Sequence, residues 1–148
     1  MADPRRTCCT FAVAVTVLLP SPVAIGAQRG DDDKQPSLSL RATPPIGFSP
    51  LRVRLAVDVR GGSDDYADFY CASVEWDWGD GTMSESSSDC EPYEAGKSTI
   101  QRRFTAEHVY RQRGSFRVVF RLKQKTRVVG AANTSVQVRA GLGAGLDG

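Results

Sequence analysis

Histidine is nearly absent: His108 is the only one in 148 residues. Two tryptophans, two methionines and four cysteines complete the short supply. One histidine leaves little for nucleophilic triads or for a histidine-based metal site. No excess of one charge sign exists either, since the formal net charge is +2. With no basic-aromatic platform, that balance argues against nucleic acid as a partner. Only one long apolar run occurs, so no membrane span is expected beyond it. No segment repeats apolar residues at helical spacing.

What is present begins with that apolar run. Arg5 and Arg6 precede an apolar stretch from Cys8 to Ala27, in which Pro20 and Pro22 interrupt any helix. Gly26 and Ala27 supply small residues before Gln28. This is the form of a secretory signal peptide over residues 1–27, the rival reading being an uncleaved membrane anchor. Residues 28–37 read as a polar linker; its Arg29-Gly30-Asp31 resembles an integrin-binding tripeptide but reads as solvated chain. Residues 140–148, "AGLGAGLDG", read as a flexible tail. An exported chain is expected to be secreted, extracellular or periplasmic, or held at the cell surface. In it, Cys71 and Cys90 read as a disulfide.

Between residues 38 and 139 the apolar period is two. Leu51, Val53, Leu55, Val57 and Val59 alternate with charged residues. So do Ala72, Val74, Trp76 and Trp78, then Phe116, Val118, Phe120 and Leu122, and lastly Val136 and Val138. Ile100 and Phe104 mark a less regular strand, with Arg102 on its supposed inner face requiring a bulge or a strand end. Short alternating strands separated by turn signals predict an all-β sandwich of two sheets with solvated outer faces.

The stretch "WDWGDGT" (Trp76 to Thr82) could be a pair of catalytic carboxylates or a core strand entering a turn. Parity with Val74 makes Trp76 and Trp78 core residues. Asp80-Gly81 suits a two-residue hairpin loop in which both residues have positive φ. Gly79 then faces Thr82, and further along the ladder Cys71 faces Cys90, within disulfide reach. Asp80 would supply turn geometry. Asp77 would bond local backbone or a basic neighbour. A catalytic reading needs two carboxylates across a cleft, which a hairpin turn does not offer. The expectation is therefore no enzyme and no catalytic residue.

These residues resemble the PKD domain, the immunoglobulin-like module named after the polycystic kidney disease protein. The likeness is carried by Trp76, Asp77, Trp78, Gly79, Asp80, Gly81, His108, Tyr110, Gly114, Phe116 and Val118. It extends from about Leu38 to Arg139. The departures are Trp78 in place of the commoner phenylalanine, the two cysteines, and a longer middle section from Ser84 to Thr99. The resemblance implies a sandwich of about seven antiparallel strands. It implies extracellular use, either in protein or carbohydrate binding and adhesion or as a spacer or envelope-assembly subunit. It gives Tyr110 a tyrosine-corner role, its hydroxyl tying down the turn "RQRG", and makes His108 a turn or surface residue.

Charge is uneven along the chain. Asp58–Glu94 holds eleven acidic residues and one basic; Lys97–Arg139 holds eleven basic residues and one acidic. In an immunoglobulin-like order the loop before Cys71, the loop around Cys90 and "QKTR" share one end. Asp64, Asp65, Asp68, Asp89, Glu91 and Glu94 would there meet Lys123, Lys125 and Arg127. On an outer face Glu75 and Asp77 would neighbour Arg117 and Arg121. The candidate binding loop is Asp64, Asp65, Tyr66, Asp68, Phe69 and Tyr70, with Tyr93 beside it, facing an extracellular protein or a polysaccharide. Its bland alternative is that Phe69 and Tyr70 cap the core. No cofactor is expected; the carboxylates could hold Ca²⁺, although no calcium-loop spacing occurs. A second candidate surface is Arg52, Arg54, Arg60 and Arg103, with less acidic compensation.

Overall fold

The computed structural model describes residues 35–141, so the signal, most of the linker with its tripeptide, and the tail from residue 142 lie outside them. Eight strands form two sheets: β1 (Ser37–Thr43), β2 (Ile46–Phe48), β3 (Leu51–Arg60), β4 (Ser73–Asp77), β5 (Met83–Ser86), β6 (Arg103–Tyr110), β7 (Gly114–Gln124) and β8 (Arg127–Arg139). One sheet has the order β1-β3-β6, the other β2-β8-β7-β4-β5. The alternation seen in the sequence is the cause. Along β3 every second residue is buried, and Val53, Leu55 and Val57 have no exposed surface. Val118, Phe120 and Leu122 of β7 meet them from the other sheet, with Trp76, Trp78, Val136 and Val138 filling the layer between. The all-β sandwich is thus the observed fold.

Three details differ from expectation. The described residues hold eight strands, and one pairing is parallel: β2 runs beside the end of β8, Phe48 opposite Arg139. The segment Pro44-Pro45 lacks amide donors, so β1 stops at Thr43 and the chain crosses to the second sheet. Second, β6 begins at Arg103. Ile100 is buried ahead of it, and Arg102 turns out of the strand to bond the carbonyls of Gly61 and Gly62 and the carboxylate of Asp64. Third, the β4–β5 register pairs Asp77 with Met83, one residue off the two-residue turn. The Trp78 amide donates to the Thr82 carbonyl at 3.1 Å, closing a three-residue loop, Gly79-Asp80-Gly81. Positive φ falls on the two glycines, 75° and 89°, and not on Asp80.

The outer face of the five-stranded sheet carries an ion network. Glu75 lies 2.7 Å from Arg121 and 2.9 Å from Lys123, while Arg121 is 3.8 Å from Asp77. Lys123 therefore belongs to this face and not to the loop end, and Arg117 takes no part. Hydrogen bonds from Lys123 and then Arg121 hold the Glu75 carboxyl below its ordinary value of 4.5. A carboxyl held low contributes stability above its unfolded value and loses it as pH falls through its folded one. Melting temperature should therefore drop on acidification below about pH 4.5. Thermal melts of Glu75→Gln should start lower at pH 7 and show a shallower acid limb; parallel limbs would count against this role.

Candidate functional site

Two ends of the sandwich hold the residues singled out by sequence. At the hairpin end, Trp78 stacks on Trp76 (5.6 Å between centroids) and on His108 (4.5 Å), and its Nε1–H donates to Ser84 at 2.9 Å. The Tyr110 hydroxyl donates to the Trp78 carbonyl at 2.8 Å, so it ties down the hairpin and not the turn "RQRG". Burial first, then the charges of Asp80 and Asp77, push the Tyr110 pKa up to about 12. Gly79 lies on the backbone of Arg117, where a Cβ would stand 2.5 Å from the carbonyl oxygen. Gly114 and Phe116 pack together beneath Tyr110, and Val118 is fully buried.

His108 is neither a turn nor a freely exposed residue. It lies in β6, and its Nε2–H donates to Asp80 at 2.6 Å. Burial alone would raise the Asp80 carboxyl, but hydrogen bonds from Thr82 and His108 outweigh it and hold the value low. Asp77 accepts from the Gly79 amide at 3.1 Å. Each carboxylate thus has a local structural partner. Among the described residues no serine, threonine or cysteine hydrogen-bonds His108.

The opposite end is built from two loops. Leaving β3, Gly61 and Gly62 take φ of 66° and 62° and turn the chain into a short 3₁₀ turn, Ala67–Phe69. Phe69 is buried, its ring lying where Gly130 leaves no room for a side chain, and Tyr66 meets it edge-on at 5.2 Å. Cys71, at φ 51°, is bonded to Cys90, their Cα atoms 6.1 Å apart. The ladder has ended at Ser86, so this bond joins loops and not paired strands.

The bond brings residues 87–99 back over the first loop. The Tyr70 hydroxyl donates to the Glu91 carbonyl (2.9 Å) and the Tyr93 hydroxyl to the Asp65 carbonyl (2.7 Å). The two rings lie 5.6 Å apart. Gln124 donates to the Tyr70 carbonyl, and Arg127 pairs with Asp68 at 2.7 Å, so the three loops do share one end. Asp64 pairs with Arg102 and Glu94 with Lys97. The amide of Gly96, and then Ser63, hold the Asp65 carboxyl low.

The candidate loop is therefore divided. Phe69 is buried, Tyr66 and Tyr70 are half-buried against the core, and Tyr93 is exposed. Beside them runs an open groove of about 470 Å³ lined by Tyr70, Glu91, Pro92, Glu94, Lys97 and Ser98. The part of this wall from Ala95 to Ser98 was not singled out from sequence. Its one signal was Gly96, which at φ 75° turns the segment back toward Asp65. Among the described residues no three His, Cys, Asp or Glu side chains converge as metal ligands. The arginine surface is partly compensated: Arg52 and Arg54 share Glu107, and Arg103 lies 3.9 Å from Asp58.

No family model and no curated protein matches this chain. Among solved structures it is similar to the PKD domain of an M14-like peptidase from Thermoplasmatales archaeon SCGC AB-540-F20. Identity is 12%, TM-score 0.48, covering 72% of this chain and 97% of that one. It is also similar to the CARDB domain of PF1109 from Pyrococcus furiosus in solution (14%, TM-score 0.45, 71% and 96% covered). The crystal structure of that domain in complex with di-metal ions is similar at 16% identity and TM-score 0.46, with 71% and 90% covered.

Proposed function

We propose that this chain is an exported, non-catalytic PKD-type module that binds an extracellular protein or polysaccharide at its disulfide-tied end. The observation that carries the reading is the pair Tyr70 and Tyr93, 5.6 Å apart beside a groove walled by Glu91, Glu94 and Ser98. Aromatic faces next to hydrogen-bonding side chains suit ligands rich in hydroxyl and amide groups. The disulfide holds this surface in place before the ligand arrives, which lowers the cost of ordering it.

Retention on insoluble chitin, cellulose, peptidoglycan and collagen tests the reading. The variant of choice is Tyr93→Ala with Glu94→Gln, because Tyr93 is 40% exposed whereas Phe69 supports the core. The expected result is retention on one matrix, weakened about tenfold in the variant with little change in melting temperature. Retention on no matrix, or retention indifferent to the variant, would overturn it.

A further inference from the structure

The outer face of the five-stranded sheet has a second specialised region, at the hairpin end. β2 is an edge strand, and edge strands usually carry charge or proline to discourage association. This one presents Ile46 and Phe48, 48% and 54% exposed. Between them Gly47 lies flush against Leu51 with no space for a side chain, so the strand's two large apolar groups both point outward. Register places Phe48 beside Arg139, and Arg117 lies on the same face one strand further on. Arg111 and Arg113 stand in the adjoining turn, the Arg111 carbonyl held by the Ser49 hydroxyl.

None of these four arginines forms an ion pair among the described residues. The acids of this end are engaged, Asp80 by His108 and Asp77 by Arg121 and the Gly79 amide. The region is thus an apolar pair with unpaired arginines near it on β8, on β7 and in the turn between β6 and β7. We propose that it docks on an anionic lipid surface, Phe48 and Ile46 entering the acyl boundary while the arginines meet headgroup phosphates. Charge complementarity selects an anionic partner. Ile46, an aliphatic side chain with no ring to stack on a sugar, selects an acyl layer over an anionic polysaccharide.

Insertion can be read at one residue, independently of the apolar stretch near the start of the chain. Phe48→Trp reports from the patch. Val128→Trp, at a position 49% exposed near the opposite end, serves as control. Both would be made in the full chain and mixed with phosphatidylcholine vesicles, with and without phosphatidylglycerol, carrying brominated acyl chains. Emission from Trp at 48 should shift to the blue and be quenched only when phosphatidylglycerol is present; emission from Trp at 128 should not respond. Arg111→Gln, Arg117→Gln and Arg139→Gln together should weaken that quenching about a hundredfold in lipid concentration. No quenching at 48, equal quenching at 128, or indifference to the arginine changes would overturn the proposal. A blue shift with an acidic protein but not with vesicles would also overturn it, in favour of a protein partner.

Discussion

Trp78→Ala should destabilise the domain by about 3–5 kcal/mol, the range for deleting a large buried aromatic. Trp78 is 3% exposed. Its ring lies between Trp76 and His108, so alanine leaves a cavity with aromatic walls on both sides. Its indole N–H binds Ser84, and its loss removes that tie to β5, an exposed strand held by one neighbour only. Its backbone carbonyl still accepts from Tyr110, so that bond should survive. Trp78→Phe keeps part of the stack and forfeits the Ser84 bond; it should cost less than half as much. Urea denaturation with an unchanged slope would show that the loss is native-state stability. A change under about 1 kcal/mol for alanine would mean that the hairpin recloses over the gap.

Loss of the disulfide should be the next largest effect. Cys71 and Cys90 lie 19 residues apart, and closing such a loop contributes about 3 kcal/mol in the chain-entropy model. In a domain of this size that corresponds to a fall of roughly 10–20 °C in melting temperature. The damage should be uneven. Residues 87–99 hold no strand and rest on the disulfide, the two tyrosine hydroxyls and the Gly96–Asp65 bond. Hydrogen exchange of Cys71→Ser/Cys90→Ser should speed first there and last in β3 and β7. Uniform acceleration would show that the bond supports the whole sandwich and not one end.

Much of this architecture was legible because period-two alternation records burial directly. β3 and β7 could be placed almost to the residue, and parity alone assigned Trp76 and Trp78 to the core. What escaped depended on long-range geometry. The short parallel strand Ile46–Phe48 has no alternating run to announce it; it exists because β8 offers a free edge after Pro45. The Gly79-Asp80-Gly81 loop was misread by one residue because Asp-Gly is a two-residue turn signal, whereas here the flanking glycine takes the first positive φ. The Cys71–Cys90 pairing survived that slip, since both cysteines lie beyond the ladder, where register no longer binds. His108 escaped because its partner, Asp80, lies 28 residues away. In the groove wall Glu91, Tyr93 and Glu94 were assigned to this end, whereas residues 95–98 carried only Gly96 as a signal; their position follows from the disulfide, the two tyrosine hydroxyls and the Gly96–Asp65 bond.

The pairing of β2 with β8 has a mechanical consequence. Ser37 lies beside Arg60 at one end of the sandwich, while Arg139 lies beside Phe48 at the other. The length of β3 separates them, about 33 Å for ten extended residues. Tension applied through the two flanking segments would pull β2 and β8 past one another along their common direction. Their bonds, including those from the Ser49 and Gln137 amides, would then be loaded in shear and together, instead of opening singly like a zip. Strung between two attachment points, the domain would act as a strut that resists stretching before it yields.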